Sequence, residues 1–274
     1  MSDSQQPEPK TSVEKLRTIR QEFAASANKH LAELDSQIVE AEKLERQQRL
    51  DADFKLFMPG DDKAVLQNRD FTFLINNTKG ATKGEHGPGT LIGATVAAAH
   101  KVHATVVGVD GVTVTAKFWG DKYLMPVHLE KGPNAYDVHP AEAKDFLTAA
   151  KQLLSDNTPD NLSDRQKHYI IVCDGAITGD PAAAASILEA AAKFNPKATF
   201  DFVVCSGTAT GGIDDLVKKW SEIASGQKPN LVKVAAPAEI NGAVMGIIRA
   251  RLSGTAYVQP QAVVKAAVQP TPSV

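Results

Sequence analysis

FLINNTKGATKG, residues 73–84, opens on an apolar run and then breaks into asparagine, threonine, lysine and glycine. An apolar start of this kind belongs to a strand covered on both faces. The break that follows fits a phosphate cradle, a metal site, a site that has lost its metal, or a plain turn. The segments around it bear on the choice.

Working outward, the apolar runs DFTFLI (70–75), ATVVGV (104–109), VTVTAKFW (112–119), HYIIVC (168–173), TFDFVV (199–204) and LVKVAA (231–236) read as strands. Helical spacing of apolar residues separates them at 90–101, 141–155, 181–194, 213–225 and 238–252. Strand and helix alternating through short links predict an α/β doubly wound, mainly parallel six-stranded sheet over residues 67–252. Asp110-Gly111 between the second and third runs is a hairpin signal, so the third strand is expected to run antiparallel.

The flanks differ from this core. Residues 1–10 are polar with two prolines and read as a disordered lead. From Thr11 to Asp53 there is no glycine or proline, and Val13, Leu16, Ile19, Phe23, Ala27, Leu31, Leu34, Ile38, Ala41 and Leu44 recur at spacings of three and four. This is an amphipathic helical arm that either packs on the globular domain or forms a coiled coil with itself or a partner helix. Residues 255–274, rich in Val, Ala, Gln and Pro, read as a disordered tail.

Composition removes several classes. A formal net charge of −2 over 274 residues gives no field for nucleic acid. No apolar run reaches the roughly 20 residues of a membrane span, and MSDSQQPEPK has no apolar signal core, so the expectation is a soluble, cytoplasmic protein. Cys173 and Cys205 each sit in an apolar run and read as buried thiols.

No catalytic arrangement stands out. Ser206 lacks the flanking glycines of a hydrolase elbow, and His86, His100, His103, His128, His139 and His168 show no H-E-x-x-H pairing. Gly87-Pro88-Gly89 before Thr90 is the nearest thing to a phosphate cradle at a helix N-terminus. The turn comes about ten residues after Ile75, later than a dinucleotide fingerprint allows. A nucleotide- or phosphate-binding enzyme using Gly84 to Gly93 is therefore the alternative reading.

The order of elements, with Phe118-Trp119-Gly120-Asp121 closing one strand and Asp174-Gly175 closing another, resembles the von Willebrand factor A domain. The resemblance implies a metal-ion-dependent adhesion site built from an Asp-x-Ser-x-Ser loop after the first strand, a distant Thr, and the Asp of the Asp-Gly strand end. Here the loop reads Asn76-Asn77-Thr78-Lys79-Gly80, with an amide at the Asp position and glycine at the second Ser position. Asp174 and Thr78 remain as metal ligands for Mg²⁺, a hard cation that binds through oxygen, in a site reduced from the family pattern. Asp174-Gly175 reads also as a simple turn.

The resemblance thus implies a non-enzymatic protein-protein interaction module with no required cofactor. Its partner-binding face is expected at Asn76, Asn77, Thr78, Lys79, Asp174, Gly175, Thr178 and Ser206, with homo-oligomerisation through Thr11 to Asp53.

Overall fold

The computed structural model describes residues 11–57, 63–77, 89–107, 109–120, 124–133, 145–162, 164–205, 212–255 and 257. The expected lead at 1–10, and the expected tail apart from Thr255 and Tyr257, lie outside them. The chain divides into two compact units, Met1–Ala52 and Asp53–Val274.

Helix α1, Ser12–Phe57, supplies the first unit and runs past its end at Ala52. A reciprocal cap closes its start: Thr11 Oγ1 accepts the Glu14 amide at 3.4 Å and Glu14 Oε2 accepts the Thr11 amide at 2.9 Å. Along it Val13, Leu16, Ile19, Phe23, Leu31, Leu34, Ile38 and Leu44 are all exposed.

The second unit is a six-stranded sheet wrapped by helices on both faces. In chain order it contains β1 Arg69–Asn76, α2 Leu91–Val106, β2 Val112–Trp119, β3 Met125–Val127, α3 Phe146–Asp156 and β4 Gln166–Cys173. It continues with α4 Pro181–Phe194, β5 Thr199–Cys205, α5 Gly212–Ile223, β6 Asn230–Val234 and α6 Ile240–Leu252. Strand order is β3-β2-β1-β4-β5-β6, with every neighbouring pair parallel except β2 and β3.

Alternation along the strands divides the core in two. Phe71, Phe73 and Ile75 point to a layer shared with α2 and α6, whereas Leu74, Ile171, Phe200 and Phe202 point to a layer shared with α3, α4 and α5. Both faces are thereby dry, which is why the central strands are apolar almost throughout.

Three expectations are corrected. ATVVGV is not a strand: its first three residues, Ala104 to Val106, are the last turn of α2. Val102 and Val106 are buried on the same helix face as Ile92 and Ala99, so helical packing overrides the β-preference of Thr105 and the valines. Consequently the third expected strand, VTVTAKFW, runs parallel to β1, and the antiparallel member is the short β3 after it. Asp110-Gly111 makes the turn from α2 into β2, with Gly111 at φ +74°. Cys173 is buried, whereas Cys205 is only half-buried and its thiol is pushed up by burial.

Buried polar groups knit helices to strands. Asn157 at the end of α3 donates to Leu153 O (2.7 Å) and Tyr169 Oη (2.9 Å) and accepts from Asn195 at the end of α4 (2.8 Å). Glu189 of α4 accepts from the Trp220 indole at 3.1 Å and from Ser225 N and Oγ at 3.0 and 2.8 Å, fixing α5 against α4.

Candidate functional site

In a doubly wound sheet a crevice opens at the carboxyl ends of the strands where the chain order reverses. Here α2 carries the chain from β1 to β2 on one side, and β4 returns on the other, so the reversal lies between β1 and β4. The register that pairs Ile75 with Val172 brings Asn76 and Asn77 alongside Cys173 and Asp174. The resemblance selected these positions, and the sheet brings them together.

Their surroundings are well defined. Asn76 and Asn77 are 0% and 2% exposed, and the Asn77 amide continues the ladder by donating to Trp119 O at 3.0 Å. Asp174 is partly exposed, and its Oδ1 accepts the Ala176 amide at 3.1 Å in an Asx-type turn. Gly175 sits at φ +89°, a conformation glycine adopts without a steric cost. Its carbonyl accepts the Ile213 amide at 3.2 Å, anchoring the start of α5 to this loop. A Cβ at Gly212 would run into the Ile177 side chain, so the approach of α5 depends on glycine there. Thr178 is exposed and forms an isolated parallel bridge with Asp145. Thr78, Lys79 and Ser206 lie outside the described residues.

Two further carboxylates near this loop are helix caps. Asp145 accepts the Leu147 amide at 2.9 Å and the Thr148 hydroxyl at 3.0 Å to start α3, and Asp180 accepts the Ala182 amide at 2.8 Å to start α4. Asp174, by contrast, closes its own turn and caps no helix. Among the described residues no three His, Cys, Asp or Glu side chains group as metal ligands. Mg²⁺ wants a near-octahedral set of oxygens, and these residues alone do not fit it.

Of the segment named in the alternative phosphate reading, residues 89–93 are described. At the start of α2, Thr90 Oγ1 already accepts the Gly93 amide at 3.0 Å, and Leu91, Ile92, Gly93 and Ala94 are buried. One of the amides a phosphate could use, that of Gly93, is thus taken by the cap, and residues 84–88 of the expected cradle lie outside the described residues.

A polar cluster that the sequence reading missed lies at the opposite end of the sheet. Arg251 of α6 donates to both carboxylate oxygens of Asp201 on β5, at 3.0 and 2.8 Å, and Asn230 adds a third bond at 3.1 Å. Beside it Arg69 donates to His168 Nε2 at 3.0 Å, and His168 Nδ1 lies 2.8 Å from Thr199 Oγ1. An arginine can only donate, so Nε2 accepts and Nδ1 carries the proton toward Thr199. A cavity of about 500 Å³ adjoins this cluster, lined by Gln166, Thr199, Asn230 and Arg251 among others. The available signal was a charged residue, Asp201, inside the apolar run TFDFVV.

Strand order, one antiparallel edge strand and helices on both faces define a von Willebrand A-like α/β fold. Proximal thread matrix protein 1 from the mussel byssus aligns over 68% of this chain and 48% of its own, at 13% identity and a TM-score of 0.50. The chain therefore spans about half the length of that protein. The same mussel protein solved with a zinc-occupied MIDAS motif aligns at 11% identity over 68% of this chain and 48% of its own, with a TM-score of 0.49. A mutant of the PilB minor pilin from Streptococcus sanguinis aligns at 9% identity over 72% and 63%, with a TM-score of 0.46. No protein-family model matches the chain, and no curated protein sequence matches it.

Proposed function

We propose that this chain is a non-enzymatic assembly component in which the von Willebrand A-like domain presents a docking rim and α1 joins one copy to another. The observation that carries the reading is the row of large apolar side chains on α1, from Val13 at 58% exposure through Phe23 at 76% to Leu44 at 61%. Apolar residues in such a continuous row mark an interaction surface. The mussel protein is a thread matrix protein by name, which agrees with an assembly role.

The rim for a protein partner comprises Asn76, Asn77, Thr78, Lys79, Asp174, Gly175, Thr178 and Ser206, in a cytoplasmic protein. Its described members are buried amides, capped loops and one partly exposed carboxylate, with no nucleophile and base held together. Among the described residues no helix is long and apolar enough to cross a membrane.

Solution mass tests the assembly reading. The full chain is expected to be oligomeric, and Phe23→Glu with Leu34→Glu is expected to weaken association at least a hundredfold, because each copy then places charge in the seam. A wild-type monomer at high concentration would end this reading. For the rim, calorimetric titration of metal-stripped protein with Mg²⁺ is expected to show no saturable heat, with Asp174→Ala unchanged. Saturable binding lost in Asp174→Ala would instead make docking metal-dependent, completed by residues such as Thr78.

A further inference from the structure

We infer that α1 pairs antiparallel with α1 of a second copy, about a two-fold centre between Asn28 and Lys29. This rests on the reading of α1 as the self-associating arm and fixes the orientation of the pair. On a helical projection at about 100° per residue, the stripe from Val13 to Leu44 stays within an arc of roughly 140°, so it is one face and can be one seam.

The order of residues along that face reads nearly the same in both directions. About a centre between positions 28 and 29, Val13 comes level with Leu44, Leu16 with Ala41, Ile19 with Ile38 and Phe23 with Leu34. At the middle the mirror breaks: Ala27 comes level with His30 and Leu31 with Ser26. Antiparallel pairing sets the small Ala41 against the larger Leu16. A parallel in-register pair would stack Phe23 on Phe23 and Ala41 on Ala41, giving crowded and empty layers in turn. Seams pack to native density when large and small positions alternate across them.

Charge favours the same orientation. Residues 12–30 carry Lys15, Arg17, Arg20 and Lys29 against Glu14 and Glu22, whereas residues 31–45 carry Glu33, Asp35, Glu40, Glu42 and Glu45 against Lys43. Antiparallel pairing lays the basic segment over the acidic one, with Arg17 near Glu42 on one flank of the seam and Lys15 near Glu40 on the other. A parallel pair would lay basic on basic and acidic on acidic, which opposes association. A like-charged meeting of Glu22 with Glu33 is softened by Lys29, whose Nζ lies 3.9 Å from Glu33 within the same helix.

Nitroxide distances in the full chain decide the orientation. On a Cys205→Ala background, with Cys173 buried, one label is placed at Thr18→Cys or at Ser36→Cys. At 1.5 Å per residue, antiparallel pairing separates the two Thr18 labels by roughly 30 Å along the axis, while mixed pairs of the two variants come within roughly 5 Å axially. Parallel pairing reverses these distances. Raising salt from 0.05 to 0.5 M is expected to weaken the pair several-fold by screening the flank charges. A monomeric mass overturns both the arm reading and its orientation. A dimer with a short Thr18–Thr18 distance overturns the orientation alone and leaves self-association standing.

Discussion

Arg251→Ala is expected to lower the stability of the domain by about 3–5 kcal/mol, the usual cost of removing one partner from a buried ion pair. Asp201 is fully buried and the Arg251 side chain is 10% exposed. The guanidinium engages both carboxylate oxygens in a fork. Without it the carboxylate keeps, among the described residues, the single Asn230 bond, which does not offset the loss of water. Because β5 lies inside the sheet, the pair also fixes how α6 packs on the core. Arg251→Lys keeps the charge but loses the fork, so it is expected to recover less than half of the loss. Thermal unfolding would show Arg251→Ala melting roughly 10 °C lower, at about 2–4 °C per kcal/mol for a domain of this size. A change below about 1 kcal/mol in the unfolding free energy from denaturant melts would show that water or Asn230 suffices for Asp201.

The two ends of the sheet accordingly play different parts. At the carboxyl ends, polar groups are arranged as caps, turns and a surface rim. At the amino ends they form two neighbouring groups, Arg69–His168–Thr199 and Asn230–Asp201–Arg251, where a single loss is costly. Substitutions meant to probe docking at the rim can therefore leave the core intact, provided the buried Asn76 and Asn77 and the capping carboxylates Asp145 and Asp180 are spared.

How far the sequence foretold this depended on the range of the determinants. Helix α4 fell at its expected bounds, because Asp180-Pro181 is a local start signal. β1, β4 and β5 were legible because burial on both faces demands continuous apolar runs. The end of α2 was misread because Thr105, Val106 and Val107 are good strand residues and only packing onto the sheet makes two of them helical. β3 has three residues, one of them Pro126, too short to leave a pattern. Asn76 and Asp174 were found through resemblance, whereas their buried and capped settings depend on strand register. The Asp201–Arg251 pair joins residues 50 apart in sequence, and no local motif reports it.

His168 is expected to make the domain lose stability as pH falls, over the window from about 6.5 to about 3. Burial, and then the charges of Arg69 and Arg251, push its imidazole down from the ordinary 6.5 to about 3. Its neighbours enforce the neutral form: Arg69 occupies Nε2, Thr199 receives the Nδ1 proton, and Phe71 stacks on the ring at 5.0 Å. A second proton would have to enter at Nε2, where the guanidinium already donates. Above pH 6.5 both folded and unfolded chains carry a neutral ring, and this stability is present in full. Below it the unfolded chain gains a proton that the folded chain refuses, so stability drains away until the folded group titrates as well. At about 1.4 kcal/mol per pH unit, the loss between pH 6.5 and 4 is roughly 3 kcal/mol. His168→Gln removes the titration, so although it is less stable at pH 7, its unfolding free energy should fall more shallowly over that interval by about this amount. Denaturant melts at half-unit steps of pH measure both slopes. Parallel curves for wild type and variant would mean that the folded domain protonates His168 as readily as the unfolded chain does, and that carboxylates alone set its acid limit.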